Sequence, residues 1–173
     1  ILASISPVFD QMERMDMLFT RFPGTAPLPG VKIFAGVEYA IYGFNCLPIR
    51  DEMYDRTLAQ GVPSVALSLG GADALNKTSA VLAQMIEYPD PLLIWVLLGE
   101  GYAHSHDQLI ATVKSQRRHE ILLARTGNSM WRILANCGFA VLAGGVTTME
   151  AMYAGLPTIN VFEHGRKLDA MDH

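Results

Sequence analysis

The chain has 173 residues, 50% of them hydrophobic and 17% charged, with a formal net charge of −4. That composition excludes a disordered or polyacidic chain, which needs low hydrophobicity and high net charge, and it offers no basic footprint for nucleic acid. The longest unbroken apolar run, Leu92 to Leu98, has seven residues, far short of the roughly 20 that a membrane-spanning helix needs.

A chain of this length buries roughly 70% of its unfolded surface without staples, which suits one domain or one and a half. Its two cysteines, Cys46 and Cys137, lie far apart with no C-x-x-C spacing. Neither a disulfide framework nor a zinc site is expected, and no secretory signal is visible, so the expected location is cytoplasmic. The sequence starts at Ile1 and stops at His173, soon after a strand pattern, and reads as cut at both ends. The nearest approach to a basic cluster, Lys114, Arg117 and Arg118, reads as a solvated helix end.

The first part of the chain is irregular. Asp16 to Thr20 and Val31 to Phe34 have strand patterns, separated by a segment with three prolines and two glycines. This part, residues 1–47, is expected to be the tail of a preceding lobe. A connecting helix is expected within residues 48–62, from about Ile49 to Gln60, with Arg50, Asp51, Glu52 and Arg56 exposed.

Residues 63–173 are regular and are expected to form a lobe of their own. Strand patterns at Val65–Leu69, Leu92–Leu98, Glu120–Ala124, Phe139–Ala143 and Pro157–Phe162 alternate with helical stretches. The helices are expected through Met85 and Ile86, over Ser105–Lys114, from Met130 to Cys137, and over Thr148–Tyr153. Such alternation with short loops predicts an α/β fold, a Rossmann-like parallel sheet with flanking helices. Gly61-Val62-Pro63-Ser64 and Gly155-Leu156-Pro157-Thr158 repeat one connection type. In each, glycine ends a helix and proline bars its continuation.

Open parallel sheets bind ligands at the carboxyl ends of their strands. Two Gly-Gly turns stand there: Gly70-Gly71 with Asp73 and Asn76 behind it, and Gly144-Gly145 with Thr147, Thr148 and Glu150. Glycine lets backbone approach a ligand, and the free N–H groups of a helix start favour phosphate. Neither turn is G-x-G-x-x-G or a Walker loop. A purely structural reading fits the same residues. Thr147 to Glu150 has the spacing of a capping box, and Asp73 and Asn76 are ordinary turn and cap residues. His104 and His106 flank Ser105 without a nearby third ligand, so a loop explains them better than a metal. His119 reads as structural or exposed. His164 is the histidine nearest the ligand edge, and Trp95 and Trp131 read as core.

The segments "VALSLGGADALN" (65–76) and "CGFAVLAGGVTTMEAMYAGLPTINV" (137–161) resemble the carboxy-terminal lobe of GT-B nucleotide-sugar enzymes. The nearest resemblance is to the UDP-sugar hydrolases of pseudaminic acid biosynthesis, and the next to MurG-type glycosyltransferases. "GVEYAIYGF" (36–44) is similar to the end of the hydrolases' amino-terminal lobe. The resemblance implies two Rossmann-like lobes, of which this chain holds the end of the first and most of the second. It implies a UDP-sugar as ligand, no cofactor and no metal. Glu150 would accept the ribose hydroxyls, and Gly144, Gly145, Thr147 and Thr148 would surround the diphosphate. Gly70, Gly71 and Asp73, with Asn76, would face the phosphate or sugar, and the uracil would rest near Leu123 to Thr126.

Val146 stands where the family often has a hydroxyl residue, and Gly43 replaces a commonly basic position. The family's expected base is a histidine in a Gly-rich loop of the first lobe, a segment not seen here, so no catalytic residue is assigned. Water attack at the anomeric carbon releasing UDP, transfer to a sugar hydroxyl, and binding without catalysis all fit this lobe. The missing lobe of the parent chain is the expected partner.

Overall fold

A computed structural model describes residues 1–5, 11–21, 23–58, 61–127 and 129–161. His164, Phe162, the end of the connecting helix at Gln60 and the side chain of Arg56 lie outside the described residues. The described chain forms two compact units, one up to Tyr42 and one from Gly43 to Val161.

The first unit holds three short strands, β1 (Ala3–Ser4), β2 (Met17–Thr20) and β3 (Lys32–Ala35), paired in parallel in the order β1-β2-β3. Leu18 is fully buried, and Phe19 stacks on Phe34 with ring centroids 4.6 Å apart. The two strands expected here are present; the two-residue β1 was not foreseen, being too short for an alternating pattern.

The second unit begins with an irregular segment and α1 (Asp51–Leu58), whose first turn carries Asp51 and Glu52, the charge sign that a helix amino terminus favours. There follow β4 (Ser64–Ser68), α2 (Lys77–Met85), β5 (Leu93–Leu98), α3 (Asp107–Lys114), β6 (Glu120–Arg125), α4 (Met130–Leu134), β7 (Phe139–Leu142), α5 (Val146–Ala154) and β8 (Thr158–Asn160). All five strands pair in parallel in the order β6-β5-β4-β7-β8. The fold is α/β and Rossmann-like, as the alternation predicts.

Both faces of this sheet are covered. Val65, Leu67, Ile94, Val96, Leu98 and Val141 share a buried cluster with Leu82 of α2 and Leu109 of α3. The alternate positions Ala66, Leu97, Ala140 and Leu142 are also buried, as strand geometry requires when a second layer covers the other face. Ser68, in phase with Ala66, donates to Met130 Sδ of α4 at 3.8 Å. The near-continuous apolar strands are the signature of a doubly covered parallel sheet.

Some helix ends differ from expectation. α4 stops at Leu134 instead of Cys137, because the N–H groups of Asn136 and Cys137 turn to i−3 carbonyls and tighten the last turn. α5 starts earlier, with Gly145 as its N-cap and no side-chain cap. The capping box of Thr147 and Glu150 is therefore not formed. Gly61 and Gly155 both adopt left-handed backbone, at φ 82° and 81°, which fits the repeated Gly-x-Pro connection.

Candidate functional site

The strand order fixes where a ligand site can lie. The chain runs outward from β4 to β5 and β6, then returns to β7 on the other side of β4. The reversal leaves a crevice at the carboxyl ends of β4 and β7, the topological switch point of a doubly wound sheet. These strands are direct neighbours, in register from Val65 opposite Phe139 to Ser68 opposite Leu142. The two Gly-Gly turns thus leave the sheet side by side.

The β4 turn is tightly constructed. Gly70 has φ 98°, and Asp73 and Asn76 have φ 43° and 50°, left-handed values that Asp and Asn tolerate better than most residues. The buried Asp73 carboxylate accepts the N–H of Lys77 and of Thr78, each at 2.9 Å. It caps α2, so both carboxylate oxygens are engaged by the helix. Its carbonyl lies 2.7 Å from His104 Nε2. Asn76 accepts the Tyr102 hydroxyl at 2.9 Å and donates to Gln108 at 3.2 Å. Burial, and secondarily the Asp73 charge, hold the Tyr102 phenol above its ordinary pKa and keep it a donor.

The β5–α3 loop supports this turn from below. A Cβ on Gly99 would collide with the Gly71 backbone, and one on Gly101 would press on the Gly71 carbonyl at 3.2 Å. Close backbone approach is therefore the reason for glycine at 99. His104 and His106 set their rings edge-on to Tyr102. Among the described residues, no three His, Cys, Asp or Glu side chains gather as a metal site.

The β7 turn is more open. Gly144 is left-handed at φ 68° and Gly145 is extended, so the chain enters α5 abruptly. No side chain caps the helix, and Val146 at its first position is exposed. Free amides at a helix start are the arrangement that favours a phosphate. Thr147 is half-buried. Thr148 is buried and donates its hydroxyl to Asn160 Oδ1 at 2.9 Å, so that hydroxyl is committed to β8.

Glu150 sits one turn further along α5. Its Oε1 accepts the Gly43 N–H at 3.0 Å, and its backbone carbonyl accepts the Cys46 thiol at 3.3 Å. With the Ile49 N–H donating to the Ala154 carbonyl at 2.8 Å, these bonds lay residues 43–49 along α5. Burial, then the Glu150 charge, raise the Cys46 thiol from 9.0 to about 11. Glu150 opens onto a cavity of about 200 Å³, lined also by Gly43, Asn45, Gly127 and Trp131. Gly127 lies two residues beyond β6, one past the segment Leu123 to Thr126 expected to meet the base, and of that strand end the cavity touches Gly127 alone among the described residues. Drug-sized ligands occupy roughly 300–1,000 Å³, so the cavity matches one ring of a nucleotide and the remainder would lie along the open edge.

Sequence reasoning named the two turns and Glu150. It missed Tyr102, Gly99, Gly127 and the cavity role of Trp131. Gly43 stood out only as a departure from a family pattern. No local signal marks these residues, because each acts through a partner distant in sequence.

No family model matches this sequence. The chain is 19% identical over 139 residues to the uncharacterized protein MJ1062 of Methanocaldococcus jannaschii, a match covering 80% of this chain and 29% of that protein. It is 23% identical over 128 residues to the spore coat polysaccharide biosynthesis protein SpsG of Bacillus subtilis, covering 74% of this chain and 37% of that protein. The chain therefore spans about a third of the length of the curated relatives it matches. No helix among the described residues is long and apolar enough to cross a membrane.

Proposed function

We propose that this chain is the nucleotide-binding lobe of a GT-B nucleotide-sugar enzyme. The reading favoured is a UDP-sugar hydrolase, as in pseudaminic acid biosynthesis. The observation that carries it is the placement of both Gly-Gly turns on neighbouring strands at the switch point, with Glu150 and its cavity on the helix that the second turn opens. The likeness to a polysaccharide biosynthesis protein supports the sugar part of the reading.

In this proposal the ribose seats at Glu150. The Gly43 N–H holds Oε1, which orients the carboxylate to accept hydroxyl donors. The uracil lies toward Gly127, beyond β6. The diphosphate crosses the start of α5, against the backbone of Gly144 and Gly145 and the amides of Val146 and Thr147, while the Thr148 N–H is held by the Gly145 carbonyl at 3.1 Å. Gly70 and Gly71 give close backbone approach on the β4 side. Asp73 and Asn76 serve by holding that turn in shape, since their side chains are taken by α2, Tyr102 and Gln108.

The chemical contribution of this lobe is stabilisation of the leaving group. When the anomeric C–O bond breaks, negative charge grows on the diphosphate. Preorganised amides and the positive end of a helix offset it without reorganisation. The attacking group, water in the hydrolase reading and a sugar hydroxyl in the glycosyltransferase reading, belongs to the other lobe.

Calorimetric titration of the chain with UDP tests the binding. Incubation of the full-length protein with UDP-sugars tests the reaction. UDP release without an acceptor supports the hydrolase, and release only with a sugar acceptor supports the glycosyltransferase. UDP binding without turnover under either condition supports a non-catalytic module.

A further inference from the structure

We propose that a second cavity in the Gly43–Val161 unit binds a small acidic organic ligand, a carbon-rich body ending in a phosphate or carboxylate. The cavity has a volume of about 650 Å³ and lies between the segment leading into α1 and the helix α4. It shares Asn45 and Trp131 with the Glu150 cavity but does not include Glu150. Its size falls within the range of organic-ligand sites, well above that of a single ion.

Its chemistry is one-sided. Arg50 comes from the residue before α1 and Arg132 from α4, so two cations from different elements meet at one concavity. Ser129 adds a hydroxyl, and no acidic side chain lines the cavity among the described residues. Neither guanidinium has a hydrogen bond or ion pair among the described residues; Asp51 and Glu52 are adjacent in sequence but do not line it. Guanidinium forks match the planar oxygens of carboxylate and phosphate, and a concave surface of one sign concentrates the opposite charge. Leu47 and Met53 supply apolar wall, which suits a carbon body better than a bare anion.

Trp131 lies between the two cavities and lines both. It is 7% exposed, and its Nε1 is the buried side-chain polar atom without a hydrogen-bond partner among the described residues. A buried N–H without an acceptor is uncommon in a native fold. The Trp131 ring also forms part of the wall of this cavity, so ligand binding there should change its fluorescence.

The test is titration of the 173-residue chain with phenyl phosphate, with benzoate and with neutral benzyl alcohol. Binding is followed by calorimetry and tryptophan fluorescence, and folding of each variant is checked by circular dichroism. One or both anions are expected to bind saturably and benzyl alcohol is not. Tighter binding of phenyl phosphate names a phosphoester as the natural group, and tighter binding of benzoate a carboxylate. Arg50→Gln and Arg132→Gln should each weaken the anion about tenfold. Trp131→Phe should abolish the fluorescence change.

Absence of saturable anion binding, equal binding of benzyl alcohol, or unchanged affinity in both arginine variants would overturn the proposal. A fluorescence change that survives Trp131→Phe would place the ligand elsewhere and overturn it too. The proposal is independent of the nucleotide reading. Phenyl phosphate binding without UDP binding removes that reading and keeps this one; the reverse result does the opposite.

Discussion

The Glu150 carboxylate and the Gly43 backbone amide, 107 residues apart in sequence, meet at 3.0 Å. The bond ties the start of the second unit to α5 and fixes one carboxylate oxygen of the residue to which the nucleotide reading gives its largest role. Gly43 is exposed, so water can replace a lost acceptor. Glu150→Gln and Glu150→Ala should therefore cost less than about 1 kcal/mol of stability. Urea denaturation checks this, and it makes either variant usable for ligand measurements.

Gly99 should tolerate no side chain. A Cβ there meets the Gly71 backbone, which cannot swing aside as a flexible side chain would. Gly99→Ala should destabilise by about 1–3 kcal/mol, the usual cost of overpacking. It should also disturb the β4 turn, so that the amide resonances of Gly70 and Gly71 shift in an NMR spectrum. Unchanged stability and unchanged resonances would show that the two loops do not touch.

Asp73 should prove a capping residue. Loss of the two N–H acceptors at the start of α2 in Asp73→Ala should cost about 1–2 kcal/mol in thermal or urea unfolding. Asp73→Asn should cost less, because its amide oxygen still accepts one N–H and Asn tolerates the left-handed backbone found there. If the two variants lose equal stability, the capping role is not what holds the turn.

His119 is a buried clamp. The Leu92 N–H donates to its Nδ1 at 3.2 Å, so that nitrogen carries no proton and Nε2 donates to the Ile86 carbonyl at 3.0 Å. Replacing it by alanine strands a donor and an acceptor, each worth about 1–3 kcal/mol when buried without a partner. His119→Ala should lower the urea midpoint strongly. It should leave the UDP affinity of the folded fraction unchanged, since the clamp lies at the amino ends of β5 and β6.

The thiols give a pH test. Burial, then the Glu150 charge, raise Cys46 to about 11, and burial raises Cys137 to about 12 against a smaller opposing hydrogen bond from Ser64. At pH 8 the Cys46 thiolate is about a hundredfold scarcer than for a thiol at the ordinary 9.0. Labelling by a thiol-specific disulfide reagent should be slow in the native chain and fast in urea. The folded state prefers the neutral thiols, so their stabilisation is complete below pH 9. It should decline as the pH rises from there toward 11 and 12.

The five strands of the large sheet were legible because each is a short apolar run that burial on both faces demands; their order in the sheet, and with it the switch point, came only from the structure. The Gly-Gly turns were legible because glycine at a strand end has few other uses. The start of α5 was not. Thr147 and Glu150 have capping-box spacing, but left-handed Gly144 lets the helix begin at Val146, and Glu150 turns to Gly43 instead of back to the helix start. The Asp73–His104, Gly71–Gly99 and Gly43–Glu150 contacts join residues 28 to 107 positions apart. Periodicity carries no trace of them.

The nucleotide reading stands or falls on one titration. Calorimetry of the folded chain with UDP and with 2′-deoxy-UDP should give saturable binding of UDP and about tenfold weaker binding of the deoxy analogue. In Glu150→Ala that preference should vanish. A wild-type chain that is folded by circular dichroism and yields no UDP heat would contradict the nucleotide-binding claim; an undiminished preference in Glu150→Ala would remove the ribose contact from Glu150.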